Sequence, residues 1–315
     1  MLFRSGAVPS LEVETWRQTS QLLRLDVAAS LAFVQLVMSY ALLVVSDTLQ
    51  RHTDAVSAVR PWQSATRGTH MIAVCVLWLG LVLLVMPFVV LFARLFAVDM
   101  QAIWPAIWQP VRGSGLLLSP IAAMMRSVVI AVLVAVLTVT TGWIASSVDR
   151  RVRVLTMLPM GISAVTLGLG YLLWFGRLGQ LTAWWLIIVA HVVIALPLVT
   201  RHLTSARDQM TGFYRSVAAT LGATPLRQFV SIEAPLLRRA LLVAALFGFS
   251  ISLGDFAASL LLTRPDAVTA PVYVARLLGK PGALNFQLAQ VLALCLAVCS
   301  VVVSLGVDMF SDDKK

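Results

Sequence analysis

Charge is what this sequence has least of. Only 12% of its 315 residues are charged, 59% are hydrophobic, and the mean hydropathy is +0.90. A soluble domain carries about 25% charged residues, so there is too little polar surface here to cover a water-soluble particle. Cysteine is scarce as well. Cys75, Cys295 and Cys299 all lie in apolar runs. The i, i+4 pair Cys295 and Cys299 is joined by no histidine or further cysteine, so it reads as packing, not as a metal site or a disulfide framework. A phosphate-cradling loop is missing, because Gly279-Lys280 runs into Pro281 without a glycine-rich lead. There is no H-E-x-x-H, no G-x-S-x-G and no cluster of carboxylates, which leaves an enzyme reading without catalytic, cofactor-binding or metal residues. No run alternates with period two, which excludes membrane-barrel strands. Residues 1–26 scatter Arg4, Glu12, Glu14, Arg17, Arg24 and Asp26 ahead of any apolar run, unlike a signal peptide.

What is there is hydrocarbon in long blocks. Crossing a bilayer as a helix takes about 20 apolar residues. The stretches 27–46, 71–93, 119–147, 154–173, 182–200, 239–262 and 287–308 qualify. The expectation is an all-α polytopic membrane protein of about seven transmembrane helices. Arginine-bearing intervals then set its orientation. The interval 47–70, the Asp149-Arg150-Arg151-Val152-Arg153 turn, residues 201–238 and the tail 309–315 fall on one side. The positive-inside tendency places them in the cytoplasm, the C-terminus with them, and the N-terminus outside. A net charge of +10 is thereby read as orientation, not as nucleic-acid binding.

The longest polar-bearing interval in the second half is Arg207–Pro235, RDQMTGFYRSVAATLGATPLRQFVSIEAP. Phe213, Val217, Ala218 and Leu221 share one helical face. Gly222 follows where a helix ends in a left-handed residue. Thr224 suits an N-cap and Pro225 the first helical position. Leu226, Phe229 and Val230 form a second apolar face, and Pro235 is expected to stop that helix. A DNA-reading helix-turn-helix has a similar outline, but spans tether this segment on both sides and deny it a major groove.

These residues carry a resemblance. The loop resembles that of the permease subunits of type I ATP-binding-cassette importers, which reads E-A-A-x-x-x-G, nine residues, an aliphatic, two more and a proline. Ala218 fits the second alanine, Gly222 the glycine, Ile232 the aliphatic and Pro235 the proline, with Pro225 and Phe229 among common family choices between them. The likeness continues through Ser252-Leu253-Gly254-Asp255-Phe256, Arg264-Pro265, Thr269, Pro271-Val272 and Pro281-Gly282. Ser216 stands where the family has its glutamate, and Val217 where it has the first alanine. Residues 71–308 resemble one six-span permease core. Residues 1–70 resemble the last span and linker of a preceding unit, and Leu25–Asp47 faintly matches Leu284–Asp308. A fused double permease, a split one or an independent subunit all remain open.

The resemblance implies the partners and roles. The loop 201–238 would couple to a cytoplasmic ATPase dimer through a helix near Gly212–Leu221, on Ser216, Val217, Ala218, Ala219 and Gly222. ATP would be bound by that partner and not by this chain. A solute-binding protein outside the membrane and a second permease half would complete the importer. Similarity falls nearest systems for thiamine, ferric iron and polyamines. The other class to weigh is a self-sufficient secondary transporter or channel, which needs paired intramembrane ions or matched broken helices.

Asp255 is the acid most deeply set in an apolar run, with Gly254 and Ser252 beside it. Intramembrane acids face a cavity or a partner. Asp255 is therefore either a pathway or gate residue, or a structural acid bonded to a neighbour such as Arg126. His191 reads first as a hydrogen-bonded packing residue, and Gly161, Gly168 and Gly170 as sites of close helix approach. Residues 263–286 read as a short interfacial or re-entrant helix, or as a plain loop.

Overall fold

The computed structural model describes residues 11–20, 22, 24–54, 67–96, 98–111, 117–148, 155–175, 183–210, 217–218 and 220–311. The described residues are helical and carry no strand. In chain order the elements are α1 (Leu11–Ser20), α2 (Leu25–Asp54), α3 (Arg67–Leu95), α4 (Met100–Trp108) and α5 (Pro120–Ser147). A 3₁₀ turn (Leu158–Gly161) then leads into α6 (Ala164–Phe175) and α7 (Ala183–Gln209). Next comes α8, built from Pro225–Gln228, a π-turn over Phe229–Glu233 and Ala234–Leu236. The chain closes with α9 (Arg238–Gly254), α10 (Ala257–Leu262), α11 (Ala270–Leu278) and α12 (Ala283–Ser311).

The expected apolar blocks are mostly helical where described, but two of them are interrupted and they are not equal. Among the described residues, four helices are long and apolar enough to cross a bilayer, at Ala73–Arg94, Pro120–Ser147, Trp184–Gln209 and Ala283–Val307. The pair Phe229–Leu236 and Arg238–Gly254 would be a fifth, bent by 75°. The expected span 154–173 is instead a 3₁₀ turn and the 12-residue α6. At 1.5 Å per residue α6 reaches about 18 Å, short of the roughly 30 Å hydrocarbon layer. Pro159 at the start of the 3₁₀ turn explains the interruption, since it supplies no N–H. The expected span 239–262 breaks into α9 and α10 at Asp255, whose ψ of 123° is extended. The span 182–200 runs on to Gln209, so residues 201–209 belong to a helix and not to the loop. The arginine turn 149–153 and residues 312–315 lie outside the described residues.

α5, α7 and α9 make the centre of the bundle, with α12 against α9. Close approach holds them, because lipid supplies no hydrophobic drive between helices. A Cβ at Gly248 of α9 would sit 3.2 Å from the Ala135 Cα of α5. Gly168 of α6 likewise lies against α10, 3.2 Å from the Ala258 Cα, whereas Gly170 faces open space. α3 stands at the periphery with none of its span window buried. Arg94 at its end lies over the Phe286 ring. α2 packs beside α6, where the Thr166 hydroxyl donates to Gln35 Oε1 at 3.4 Å.

The end of the bundle away from Arg207–Pro235 is closed by short helices. Residues 263–286 are neither a plain loop nor a span. α11 buries Ala270, Val272, Tyr273 and Leu277 against Ile103 of α4 and Leu288 of α12. The Ala270 N–H donates to Ser127 Oγ at 2.7 Å, Tyr273 Oη donates to the Leu118 carbonyl at 3.2 Å, and Arg126 donates to the Asp266 carbonyl. Trp174 and Trp185 are exposed, as interfacial anchors would be.

Candidate functional site

The loop turns where the glycine dictates. Val217, Ala218 and Thr220 are helical, while Ser216 and Ala219 lie outside the described residues. Gly222 has φ of +74°, the left-handed conformation expected of it. The Ala223 N–H then reaches back to the Ala218 carbonyl at 3.0 Å, closing the turn in the 6→1 pattern of a Schellman cap. Thr224 and Pro225 begin α8 as expected. Thr224 Oγ1 accepts from the Arg227 N–H at 3.4 Å, and its carbonyl accepts from the Gln228 N–H at 2.9 Å. Ala218 is buried, but Val217 and Leu221, one turn apart, are exposed, Leu221 at 81%. The two form an exposed apolar pair on an otherwise polar-bearing loop.

The second apolar face is not one face. Phe229 turns into its own chain and packs on Trp143 of α5, ring centroids 4.8 Å apart. Val230 stays exposed and Ile232 is half-buried. The expected stop at Pro235 also fails. The helix passes through Pro235 and bends only at Leu237, with φ of −100° and ψ of 14°. The π-turn just before it explains this. In that wider turn the Ala234 N–H bonds to the Phe229 carbonyl, five residues back. A wider turn relaxes the crowding that proline imposes on the carbonyl four residues earlier.

The π-turn also aims Glu233 inward, which sequence reading missed. Glu233 is buried, and both its carboxylate oxygens lie within 3.4 Å of Arg207 Nη2 on α7. Arg207 Nη1 donates to Ser146 Oγ at 3.0 Å and to Ser147 Oγ, both at the end of α5. The guanidinium lies over the Trp143 ring at 4.4 Å. Arg207 was expected to be one of the orienting charges of the 201–238 loop. Its side chain is only 10% exposed.

A second polar cluster sits at the break between α9 and α10. His191 of α7 lies between Ser252 (Nδ1 to Oγ, 2.8 Å) and Asp255 (Nε2 to Oδ2, 3.1 Å), with Ser259 Oγ 3.0 Å from Nε2. The ring thus bridges α9 and α10 across the break, with a hydroxyl on one nitrogen and a carboxylate and a hydroxyl on the other. Asp255 Oδ2 also accepts the Ser259 N–H at 3.1 Å, tying the first turn of α10. His191 and not Arg126 is the acid's partner. Gly254 is the last residue of α9, and a Cβ added there would meet nothing within 4 Å.

Long apolar helices joined by an ordered interhelical turn define a polytopic all-α membrane protein. The chain belongs to the binding-protein-dependent transport system inner membrane component family, whose model matches residues 135–314. It is an inner-membrane, multi-pass permease of the type I ATP-binding-cassette importer class. It is 28% identical over 239 residues to the molybdenum transport system permease protein ModB of Mycobacterium tuberculosis, covering 70% of this chain and 89% of that protein. It is 30% identical over 126 residues to the putrescine transport system permease protein PotI of Escherichia coli K12, covering 37% of this chain and 43% of that protein.

Proposed function

We propose that the chain forms half of a translocation pathway for a small solute. An extracytoplasmic binding protein delivers the solute, and a separate cytoplasmic ATPase pair drives its passage. The observation that carries this reading is the loop itself. Val217 and Leu221 stand exposed on a helix whose end is held by a left-handed Gly222, which is the form of a knob for another protein's cleft. This orientation puts the loop, the end of α7 and the C-terminus in the cytoplasm, and α4 and α11 outside. A second permease half faces this one across the pathway.

The solute is a choice among classes. The resemblance falls nearest systems for thiamine, ferric iron and polyamines, and the 264–282 segment leans toward thiamine or iron. The relatives' names add molybdenum and include one polyamine, putrescine. In such systems the binding protein selects the ligand, so a thermal-shift screen of that protein against thiamine, ferric iron, putrescine, spermidine and molybdate decides it. The Asp255–His191 cluster, with Ser252 in it, acts as the fixed point of the broken helix, and Gly254 lies at the break as a candidate gate position.

The docking reading is tested by Leu221→Asp. Burying a leucine is worth about 1.5–3 kcal/mol, so the ATPase should co-purify at least about tenfold less tightly, with normal membrane insertion. Unchanged co-purification would remove the loop from the interface.

A further inference from the structure

Besides the chain's own exit from α7 after Gln209, the loop reaches the spans by two routes, and one of them is interrupted. Covalently, α8 continues into α9 through a 75° bend at Leu237. A displacement of the loop arriving there meets a corner that rotation can absorb. The second route avoids the corner. Glu233 lies on the loop side of the bend, and Arg207 binds it from α7. The same guanidinium holds Ser146 and Ser147 and covers Trp143, all on α5. One side chain therefore ties the loop to two spans at once. Phe229, also before the bend, adds its contact with Trp143.

Chemistry makes this joint stiff. The Arg207 and Glu233 side chains are 10% and 6% exposed. Charges withdrawn from water this far lose heavily if they separate, so the pair has a narrow range of geometry. The π-turn that aims Glu233 inward is a costlier form than an α-turn, of the kind kept at working sites. Helices packed as tightly as α5, α7 and α9 move as bodies and do not deform locally.

We propose that the Arg207–Glu233 pair is the joint that carries movement of the docked loop past the Leu237 bend into α5 and α7. Arg207 and Glu233 are positioning residues in this role: neither touches solute nor nucleotide. The proposal rests on the reading of the loop as the ATPase-docking element, and the test separates the two.

The test uses the full chain with its co-purified ATPase in lipid nanodiscs, read by amide hydrogen exchange. Protection of residues 217–224 on ATPase binding reports docking. The change in exchange of residues 120–147 and 183–209 on adding ATP with vanadate reports transmission. In the wild type both are expected. Glu233→Gln keeps size and loses charge. It should retain the loop protection while the span response falls about fivefold or more, the range of a lost coupling between sites. Ser146→Ala with Ser147→Ala, which leaves the ion pair in place, should reduce the α5 response and spare docking. Should Glu233→Gln accumulate poorly, Arg207→Met with Glu233→Leu replaces the pair by apolar volume and keeps the fold. It should dock and fail to transmit. A wild-type span response in Glu233→Gln, or in the double replacement, overturns the joint. So does a wild-type complex that docks without any span response. A wild-type loop left unprotected by the ATPase overturns the docking reading itself.

Discussion

Replacing Gly222 separates backbone geometry from every other property of the loop. Its φ is +74°, and a Cβ placed there would meet nothing within 4 Å. The cost of a side chain is therefore conformational and not steric. Holding an L-residue in the left-handed region costs about 1–2 kcal/mol, and β-branching raises this further. The turn can escape that strain only by giving up the Ala223 to Ala218 hydrogen bond, which re-aims Val217 and Leu221. A penalty of that size lowers the docking-competent fraction about 5- to 30-fold. Gly222→Val should therefore weaken ATPase binding by that factor, measured by titrating purified ATPase onto the permease in nanodiscs. Gly222→Asn is the control, since asparagine tolerates the left-handed region and adds similar bulk. It should bind nearly as the wild type does. If valine binds normally, or if asparagine is as weak as valine, the geometric argument is wrong.

Further outcomes follow from packing and polar contacts. Asp255→Ala removes the acceptor shared by His191 and the Ser259 N–H, and should lower stability by about 1–3 kcal/mol, read as a drop in the thermal midpoint in detergent. His191→Ala should cost a comparable amount, and the two together less than their sum because they remove one contact. Gly248→Val drives a side chain into Ala135 across 3.2 Å, and should cost about 1–3 kcal/mol by overpacking. Gly80→Ala in the exposed α3 should leave the size-exclusion profile unchanged. Trp143→Ala removes both the Phe229 contact and the surface under Arg207. It should raise exchange at the ends of α5 and α7 while residues 183–195, farther along α7, stay protected.

Lipid as a solvent makes some features of this chain local and others not. The all-helical class follows from scarce charge and apolar blocks, because a backbone in hydrocarbon must pair with itself along each segment. Gly222, Thr224 and Pro225 could also be read directly, since a cap is decided within a few consecutive residues. Where sequence reading failed, the deciding partner was distant or the helix geometry unusual. Pro235 predicts a stop only if the preceding turn is α-helical, and here it is a π-turn. Asp255 and His191 are 64 residues apart, and Arg207 and Glu233 are 26 apart. Helices apolar on every side give no signal of which face meets which neighbour. Hydropathy thus determined that the chain lies in the membrane as helices, and the loop motif determined its class. Only tertiary packing decided that α9 breaks at Asp255, that Phe229 turns inward, and that a single arginine holds the loop against two spans. Those outcomes depend on desolvated charges finding each other across elements, which no single stretch of sequence contains.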